Sequence, residues 1–493
     1  MISYTDLYDV VEEYGITTDS RNCPPGSIFI ALHGEKFDGN QFVMQALRNG
    51  CNYAIIDNRS VVDSIASDGF GMQGKQFFVV SDTLQALKDL AREHRRRFNI
   101  PVIAITGTNG KTTTKELVRA VLAEKYNVLA TEGNFNNDVG VPKTLLRLNK
   151  KHQIAIIEMG ASHPGDIKTL AETAEPTCGI ITNVGRAHLQ GFGSFEGVKR
   201  TKGELYDYLR SRDEALVFVN ADNDDLLEML DDSGPVDCGN AAVNDDNGNT
   251  AVDDGSGEQS HLWVTPYSTD PEKQYSCISG EIIREEGNPM LKLRWRRPLM
   301  DLEESGASQK WHKVQTQLIG DYNIDNVMAA IAVGINFNVD RKSICRALEN
   351  YRPTNSRSQL IVTKRNRLIV DAYNANPSSM MAALENFLLM AAAPGEEKMV
   401  ILGDMLELGE VSHEEHQKVV DMIAVSQPST LNSQPSIHVW LVGQEFAATT
   451  TSFRKFNSVD DVMAELRRHC PEGRLILIKG SNSMRLQQLP PLL

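Results

Sequence analysis

One glycine-rich segment of the sequence, TGTNGKTT, has the residue types needed to bind phosphate. It follows the apolar run VIAIT and precedes the helical pattern KELVRAVLAEKY. Gly107 and Gly110 would let backbone N–H groups approach phosphate oxygens, and Lys111 would reach the β- and γ-phosphates. The Thr112 hydroxyl would ligate Mg²⁺. The match to GxxxxGK[ST] is not strict, because Ile105 occupies the first glycine position. The segment predicts a nucleoside triphosphate loop, with a ligand-free tight turn as the alternative.

Three further residues have side chains that suit a metal or phosphate site. Glu158 follows the apolar run IAII, and His188 follows CGIIT by a short loop. Ligands collect at the carboxyl ends of parallel strands, and carboxylate oxygens suit Mg²⁺. Lys202 lies in the helical segment VKRTKGELYDYL. The alternatives are a turn-capping carboxylate, a structural histidine and a solvated helix lysine.

The elements that must position these residues alternate between short apolar strands and amphipathic helices. From Val102, the runs VIAIT, IAIIEM, CGIITNV and ALVFVN are separated by helical segments, as in a parallel sheet covered on both faces. The sequence YSCISGEIIREEGNPMLKLRWRR predicts a hairpin. Residues 231–260 are acidic and rich in Gly, Asn and Asp, which favours a flexible surface insertion.

The chain as a whole is predicted to be an α/β protein of three domains. Residues 1–100 form a small α/β domain with a basic RRR run that we expect on a solvated helix face. Residues 101–335 form a central P-loop domain with a doubly wound parallel sheet. Residues 336–493, with the strand-like runs LIVDAY, MVILGDM, HVWLVG and LILIKG, form a C-terminal Rossmann-like domain.

Composition limits the classes of partner and compartment. The net charge of −15 argues against nucleic-acid binding, which requires a basic surface. No apolar run approaches the roughly 20 residues that span a bilayer, and the first residues lack the features of a signal peptide. The seven cysteines are scattered without a CxxC pair. We therefore expect a cytoplasmic protein without membrane insertion, and a monomer.

Several longer motifs are similar to those of the Mur ligases. They are TEGNFNNDVGVP, GTNGKTT, IAIIEMGA, NVGRAHLQGFGS, TKGEL, GDYNIDNVMAA and DAYNANPSSM. They stand in that family's order and approximate spacing, and the resemblance covers nearly the whole chain. DAYNANPSSM and GDMLELG resemble most closely the members that add D-alanyl-D-alanine. The three domains would then bind a UDP-sugar, ATP, and the amine substrate, in chain order.

The resemblance also implies individual roles. The implied nucleotide-binding residues are Gly107, Thr108, Asn109, Gly110, Lys111, Thr112, Thr113, Asn323, Asn326, Arg357, Asp371 and Asn374. Thr112 and Glu158 would hold one Mg²⁺, and His188 with Lys202 a second. Lys202 would carry a CO₂-derived carbamate, since an ammonium group cannot bind a cation. The implied catalytic residues are Lys111, His188, Lys202 and Asn137, and the implied substrate contacts are Ser20, Arg21, Asn136 and Lys479.

Some of these residues could instead have a purely structural role or be solvated, and some positions depart from the family pattern. The asparagines and aspartates outside the loop could be caps or turn residues, and Lys479 could be solvated. Asn40 and Tyr322 stand where the family more commonly has histidine. The TNSR segment, which ends in Arg357, lacks the glycine that the family has before this arginine. Residues 231–260 have no implied role.

The implied reaction joins D-alanyl-D-alanine to UDP-N-acetylmuramoyl-tripeptide through an acyl phosphate in peptidoglycan synthesis, on which cell shape and division depend. A carboxylate does not react with an amine at neutral pH, so ATP would supply the leaving group. Two alternatives within the superfamily are the ligase that adds the third stem-peptide residue and folylpolyglutamate synthetase. A P-loop switch or a non-catalytic nucleotide-binding protein represents a different class.

Overall fold

The structure is a computed structural model, described here for residues 4–34, 37–67, 74–187, 189–230, 250–252, 262–270, 273, 276–285, 288–298, 310–353, 357–426 and 437–493. The chain divides into two compact units. The first comprises Met1–Val102, Leu129–Met159 and Lys168–Pro176. The second comprises Ile103–Val128, Gly160–Ile167 and Thr177–Leu493.

The described strands and helices follow one another along the whole chain. The strands are β1 Ile16–Thr17, β2 Ile28–Ile30, β3 His33–Gly34, β4 Phe37–Asp38, β5 Tyr53–Ile56, β6 Gln76–Val79, β7 Val102–Thr106, β8 Val128–Ala130, β9 Ile154–Glu158, β10 Cys178–Ile181, β11 Leu216–Asn220, β12 Thr250–Val252, β13 Leu262–Ser268, β14 Ile278–Ile282, β15 Met290–Arg296, β16 His312–Ile319, β17 Gln359–Val362, β18 Arg367–Asp371, β19 Glu397–Gly403, β20 His438–Val442, β21 Arg454–Phe456 and β22 Arg474–Lys479. The helices are α1 Tyr4–Tyr14, α2 Val43–Arg48, α3 Ser60–Ser67, α4 Thr83–Arg96, α5 Lys111–Ala123, α6 Gly140–Leu145, α7 Asp166–Ala174, α8 Leu189–Phe192, α9 Phe195–Arg210, α10 Asp224–Leu230, α11 Ile324–Asn336, α12 Arg341–Asn350, α13 Pro377–Leu389, α14 Ser412–Val425, α15 Gln444–Ala447 and α16 Val459–Arg468.

The first unit contains a four-stranded parallel sheet in the order β1-β2-β5-β6. One face packs against apolar residues of α1 and α4, and the other against those of α2 and α3. In the RRR run at the end of α4, Arg96 and Arg97 are exposed, as predicted from their charge, whereas Arg95 is not. Arg95 is buried, and its guanidinium donates to the carbonyl oxygens of Ala174, Phe98 and Ile100.

The second unit contains strand β7, which leads into the phosphate loop, and six later strands, in the order β16-β15-β14-β13-β11-β10-β7. Strands β7, β10 and β11 are parallel, as predicted, and β13, which was not predicted, pairs parallel with β11. The sheet is mixed rather than purely parallel, because β14, β15 and β16 form an antiparallel extension and β12 pairs antiparallel with β13. The predicted hairpin is thus confirmed in its strands. Residues 231–249 and 253–260 of the acidic segment lie outside the described residues.

A six-stranded sheet occupies the C-terminal part of the second unit, in the order β17-β18-β22-β19-β20-β21. All its pairs are parallel except β17 with β18. In register, Asp371 pairs with Lys479, and Leu402 also pairs with Lys479. The carboxyl ends of β18, β22 and β19 therefore lie side by side. Over the described ranges, no helix is long and apolar enough to span a membrane.

Candidate active site

The phosphate loop connects β7 to α5 in the conformation that its glycines allow. Gly107 and Gly110 have φ angles of 136° and 80°, which side chains with a Cβ rarely adopt. A Cβ on Gly107 would lie 2.0 Å from Thr182 Oγ1, and one on Gly110 would lie 2.4 Å from Asn326 Oδ1. The loop thus needs glycine both for its backbone angles and for close contact with its neighbours.

Lys111 is the first residue of α5 and its side chain folds over the loop. Its Nζ donates to the carbonyl oxygens of Gly107 at 2.7 Å and Thr108 at 3.0 Å. Thr112 is buried beside it. A cation above the loop and the N-terminus of a 13-residue helix both favour an anion at this position. The local geometry is therefore suited to an anion, and phosphate binding by these residues stays a prediction.

The segment after β10 holds the phosphate loop from one side. Asn183 Oδ1 accepts from the Asn109 N–H at 2.9 Å, and Thr182 Oγ1 donates to the Asn109 carbonyl at 2.6 Å. Thr108 Oγ1 also donates to the Gly185 carbonyl oxygen and accepts from the Gly185 N–H. The ends of β7 and β10 thus meet at the phosphate loop, while the predicted site residue His188 lies outside the described residues.

Glu158 ends β9 in the first unit and is almost fully buried. Its Oε1 accepts from Asn136 Nδ2 at 3.0 Å, and its N–H donates to Thr131 Oγ1. Asn137, a predicted catalytic residue, is exposed, and its Oδ1 accepts from the N–H groups of Val139 and Gly140 at the start of α6. Asn136 therefore positions the carboxylate, whereas the catalytic role of Asn137 stays a prediction.

Lys202 is buried on α9, which excludes the solvated alternative for this lysine. It is 3% exposed, and its Nζ lies 5.7 Å from the centre of the Phe192 ring. Burial lowers the pKa of Lys202 well below its usual value, and the positive charge of Lys111 lowers it further. Asp166 and Glu204 act in the opposite direction. The amine is thus held in a place that disfavours its ammonium form.

Asn323 and Asn326, the predicted adenine contacts, are buried and bonded to the protein. Asn323 Nδ2 donates to the Ile319 carbonyl, and Asn326 Nδ2 donates to Asn323 Oδ1 at 3.0 Å. Asn326 Oδ1 accepts from Thr114 Oγ1 on α5. These bonds place both amides next to the phosphate loop and fix their orientation.

The predicted C-terminal residues meet at the ends of β18 and β22. Lys479 is buried and its Nζ lies 2.6 Å from Asp371 Oδ2, so the solvated alternative for Lys479 was wrong. Its Nζ also contacts the Asn374 carbonyl at 3.5 Å. The guanidinium of Arg357 lies 3.8 Å from the centre of the Tyr373 ring, and its buried Nε has no hydrogen-bond partner among the residues that the structure describes.

Sequence reasoning missed Asn376, which lies between the two sheets of the second unit. Its Nδ2 donates to Asn109 Oδ1 at 2.8 Å, across 267 positions of the chain. Its Oδ1 accepts from the Ser379 N–H and so caps α13. The signal in the sequence was the Asn-Pro-Ser-Ser start of a helix, which predicts a cap but not the second partner.

The first unit carries the predicted contacts to the sugar nucleotide. Ser20 is buried and donates to Gln45 Oε1, whereas Arg21 is exposed and pairs with Asp19. A separate cavity of about 580 Å³ lies between the start of α2 and α3. Its lining includes Asp38, Asn40, Gln41, Met44, Val61 and Ile65.

Asn40 contributes a buried, unpaired acceptor to that cavity. Its Nδ2 donates to Asp38 Oδ1 at 2.8 Å and Asp57 Oδ1 at 2.7 Å, and within the described part of the chain its Oδ1 has no hydrogen-bond partner. Burial alone would raise the pKa of Asp57, but hydrogen bonds from His33 and Asn40 outweigh it and lower that pKa. With carboxylates on both sides of the nitrogen, the amide orientation is determined.

The donor atoms suit magnesium rather than a transition metal. Thr112 offers a hydroxyl oxygen and Glu158 a carboxylate oxygen, and Mg²⁺ prefers oxygen ligands. No group of three His, Cys, Asp or Glu side chains arranged for a metal ion occurs in the part of the chain that the structure describes. An oxygen-bearing derivative of Lys202 would add a ligand that this set lacks.

Comparison with known proteins decides the family. Three family profiles match in order: the Mur ligase family catalytic domain over residues 12–95, the Mur ligase middle domain over 105–334, and the glutamate ligase domain over 356–482. The chain belongs to the Mur ligase family. It is therefore an enzyme of the ligase class.

Relatives with this architecture match the Mur ligase over nearly its whole length. The UDP-N-acetylmuramoyl-tripeptide--D-alanyl-D-alanine ligase of Bacillus subtilis is 30% identical, over 98% of this chain and 93% of that protein. The ligase of the same name from Synechocystis is 31% identical, over 99% and 93%. A crystal structure of MurF from Acinetobacter baumannii is 28% identical, with a TM-score of 0.75 over 96% of this Mur ligase and 92% of that chain. The predicted three-domain fold is thereby confirmed, while its boundaries stay predictions.

Proposed function

We propose that this Mur ligase joins D-alanyl-D-alanine to UDP-N-acetylmuramoyl-tripeptide with ATP, in cytoplasmic synthesis of the peptidoglycan precursor. The observation that carries the proposal is the full-length likeness to ligases of that name. The phosphate loop, with Lys111 over it, supports the use of a nucleoside triphosphate. The DAYNANP segment favours this activity over addition of the third stem-peptide residue.

The chemistry requires two displacements. A carboxylate oxygen of the tripeptide attacks the γ-phosphorus of ATP, the bond to the β-phosphate oxygen breaks, and ADP leaves. The amine nitrogen of the dipeptide then attacks the acyl carbon, the carbon–oxygen bond to phosphate breaks, and the nitrogen loses a proton. Lys111 and the loop N–H groups stabilise the charge on the transferred phosphoryl group.

Two Mg²⁺ ions would supply charge neutralisation of the triphosphate, held by Thr112 and Glu158 for one and by His188 and Lys202 for the other. The Lys202 amine is buried and would take part as a carbamate. In that modification the nitrogen bonds to the carbon of CO₂ and releases a proton, which leaves anionic oxygen donors. Asn136 would hold the Glu158 carboxylate in place through its 3.0 Å bond.

The C-terminal sheet would position the nucleotide from the opposite side. Arg357, stacked on Tyr373, keeps an unused Nε donor that suits a phosphate oxygen. Asp371 and Asn374 would contact the ribose or base, with Lys479 holding the Asp371 carboxylate. Asn323 and Asn326 would face the adenine.

The first unit would bind the sugar nucleotide. The cavity between α2 and α3 has apolar side chains from Met44, Val61 and Ile65 together with polar groups, as nucleoside sites commonly do. The nearby carboxylates of Asp38 and Asp57 disfavour phosphate there, so this cavity would take the uridine. Ser20 and Arg21 would face the diphosphate.

The decisive experiment measures phosphate release from ATP by the purified full chain with each acceptor and amine pair. We expect release that requires both UDP-N-acetylmuramoyl-tripeptide and D-alanyl-D-alanine, with the pentapeptide product confirmed by mass spectrometry. Release with the UDP-dipeptide and a single third-residue amino acid, or with folate and glutamate, would reassign the activity. Hydrolysis that needs no acceptor would favour a P-loop switch.

A further inference from the structure

The Asn376 side chain makes two different contacts at once. Its Oδ1 accepts from the Ser379 N–H at 2.9 Å, and the Asn376 N–H donates back to Ser379 Oγ, which completes a capping box at the start of α13. Its Nδ2, which the cap does not use, donates to Asn109 Oδ1 at 2.8 Å. Asn376 is 5% exposed, so this bond is shielded from water.

Asn109 lies in the phosphate loop, and its backbone and side chain are held by different parts of the chain. The segment after β10 binds its N–H and its carbonyl oxygen, through Asn183 and Thr182. Its side-chain oxygen is bound by Asn376 from the C-terminal sheet. One loop residue thus connects the two parts of the second unit.

A second bond accompanies this contact. Ser378, in the first turn of α13, accepts from the Arg186 N–H at 3.2 Å. Gly185 is packed so closely there that a Cβ would lie 3.1 Å from Ser378 Oγ and 3.3 Å from Thr108 Cγ2. The first turn of α13 therefore docks on the phosphate loop and on the segment after β10 together.

We propose that Asn376 is a positioning residue that makes phosphoryl transfer depend on docking of the C-terminal sheet against the phosphate loop. This inference rests on the proposed function. A displacement of about 1 Å in groups that orient a reaction can lower its rate on the order of 10²-fold. The loop is held on both sides only when α13 is docked. ATP would then be positioned for transfer only when the part of the chain that offers the amine substrate is in place.

The test substitutes Asn376→Ser, since serine keeps the helix cap but is too short to reach Asn109. The matched control is Ser379→Ala, which breaks the same capping box and leaves the bond to Asn109 intact. We expect Asn376→Ser to lower kcat for ligation about 10-fold or more, with KM for ATP changed less than about 3-fold. We expect Ser379→Ala to shift Tm at least as much and to keep kcat within about 2-fold of wild type.

A double variant distinguishes an effect of Asn376 through Asn109 from a general loss of structure. If Asn376 acts through Asn109, adding Asn376→Ser to Asn109→Ala should lower kcat less than about 2-fold further. Wild-type kcat in Asn376→Ser, an equal loss in Ser379→Ala, or fully additive losses in the double variant would each overturn the inference. Failure of wild type with every amine donor would instead refute the proposed function, and the inference with it.

Discussion

The Nζ of Lys479 lies 2.6 Å from Oδ2 of Asp371, at the adjoining ends of two parallel strands in the C-terminal sheet. The lysine side chain is 2% exposed and the aspartate 18%. Lys479 is thus the internal partner of a residue implied in nucleotide binding. Its charge compensates a carboxylate that would otherwise be buried without a counter-ion.

Lys479→Ala is expected to destabilise the C-terminal sheet by about 3 kcal/mol, because it leaves the Asp371 carboxylate without its partner. The measurement is the free energy of unfolding from urea titration. Lys364→Ala, which removes an exposed lysine on the same sheet domain, serves as the control and should change stability by less than about 0.5 kcal/mol. Equal effects of the two substitutions would contradict the structural role of the pair.

Lys202→Ala is expected to abolish nearly all ligase activity, since it removes the amine that would carry the carbamate. Lys202→Arg should be similarly inactive, because a guanidinium does not form the carbamate under these conditions. Added short carboxylates should partly restore Lys202→Ala by supplying the missing oxygen ligands. The carbamate itself is detected as a ¹³C signal after exchange with labelled CO₂. Full activity of either variant would refute the assignment.

Asp325→Asn is expected to stabilise the protein at neutral pH. Burial and the charge of Asp222 raise the pKa of Asp325 to about 6, although a hydrogen bond from Asn220 lowers it slightly. Below pH 4 the group is protonated in both folded and unfolded chains. Between pH 4 and 6 only the unfolded chain loses the proton, so wild type loses stability as pH rises through this range. Above pH 6 the buried carboxylate is ionised in the folded chain as well, and its burial lowers the free energy of unfolding.

The expected gain for this substitution is about 1–2 kcal/mol above pH 6, reduced from the full shift because the side chain keeps some solvent contact. The gain should vanish near pH 3.5. Urea titrations at several pH values measure it, with Asp340→Asn as a control that replaces an exposed carboxylate elsewhere in the same unit and keeps the helix cap. A gain that does not vary with pH would show that Asp325 is not the titrating group.

Asn40 is expected to distinguish uridine from analogues that lack a donor at N3. Its unpaired Oδ1 would accept the uracil N3–H, so methylation of N3 in UDP should weaken binding about 5- to 100-fold in wild type. In Asn40→Ala, both ligands should bind more weakly and the ratio between them should fall towards one. Calorimetric titration measures both affinities. Gln41→Ala, from the same cavity, should preserve the ratio, and an unchanged ratio in Asn40→Ala would reject the contact.

Local pattern was sufficient to predict the phosphate loop and the strands that flank it. VIAIT, IAIIE and CGII are continuous apolar runs because parallel strands are covered on both faces, and the structure buries every residue in them. The glycines of the loop similarly follow from backbone angles that only glycine adopts readily. These features depend on a few consecutive residues and can therefore be predicted from the sequence.

The motifs alone also determined the family, because their order along the chain needs no coordinates. What only the tertiary structure decided is the partner of each polar side chain. Asn137 accepts a bond from the Gly140 N–H and Asn376 caps α13, yet Asn376 also reaches a loop 267 positions away, and Lys479 is buried against Asp371. A hydrogen bond or ion pair depends on atoms within about 3 Å, and the segments that supply them meet only when the sheets have formed.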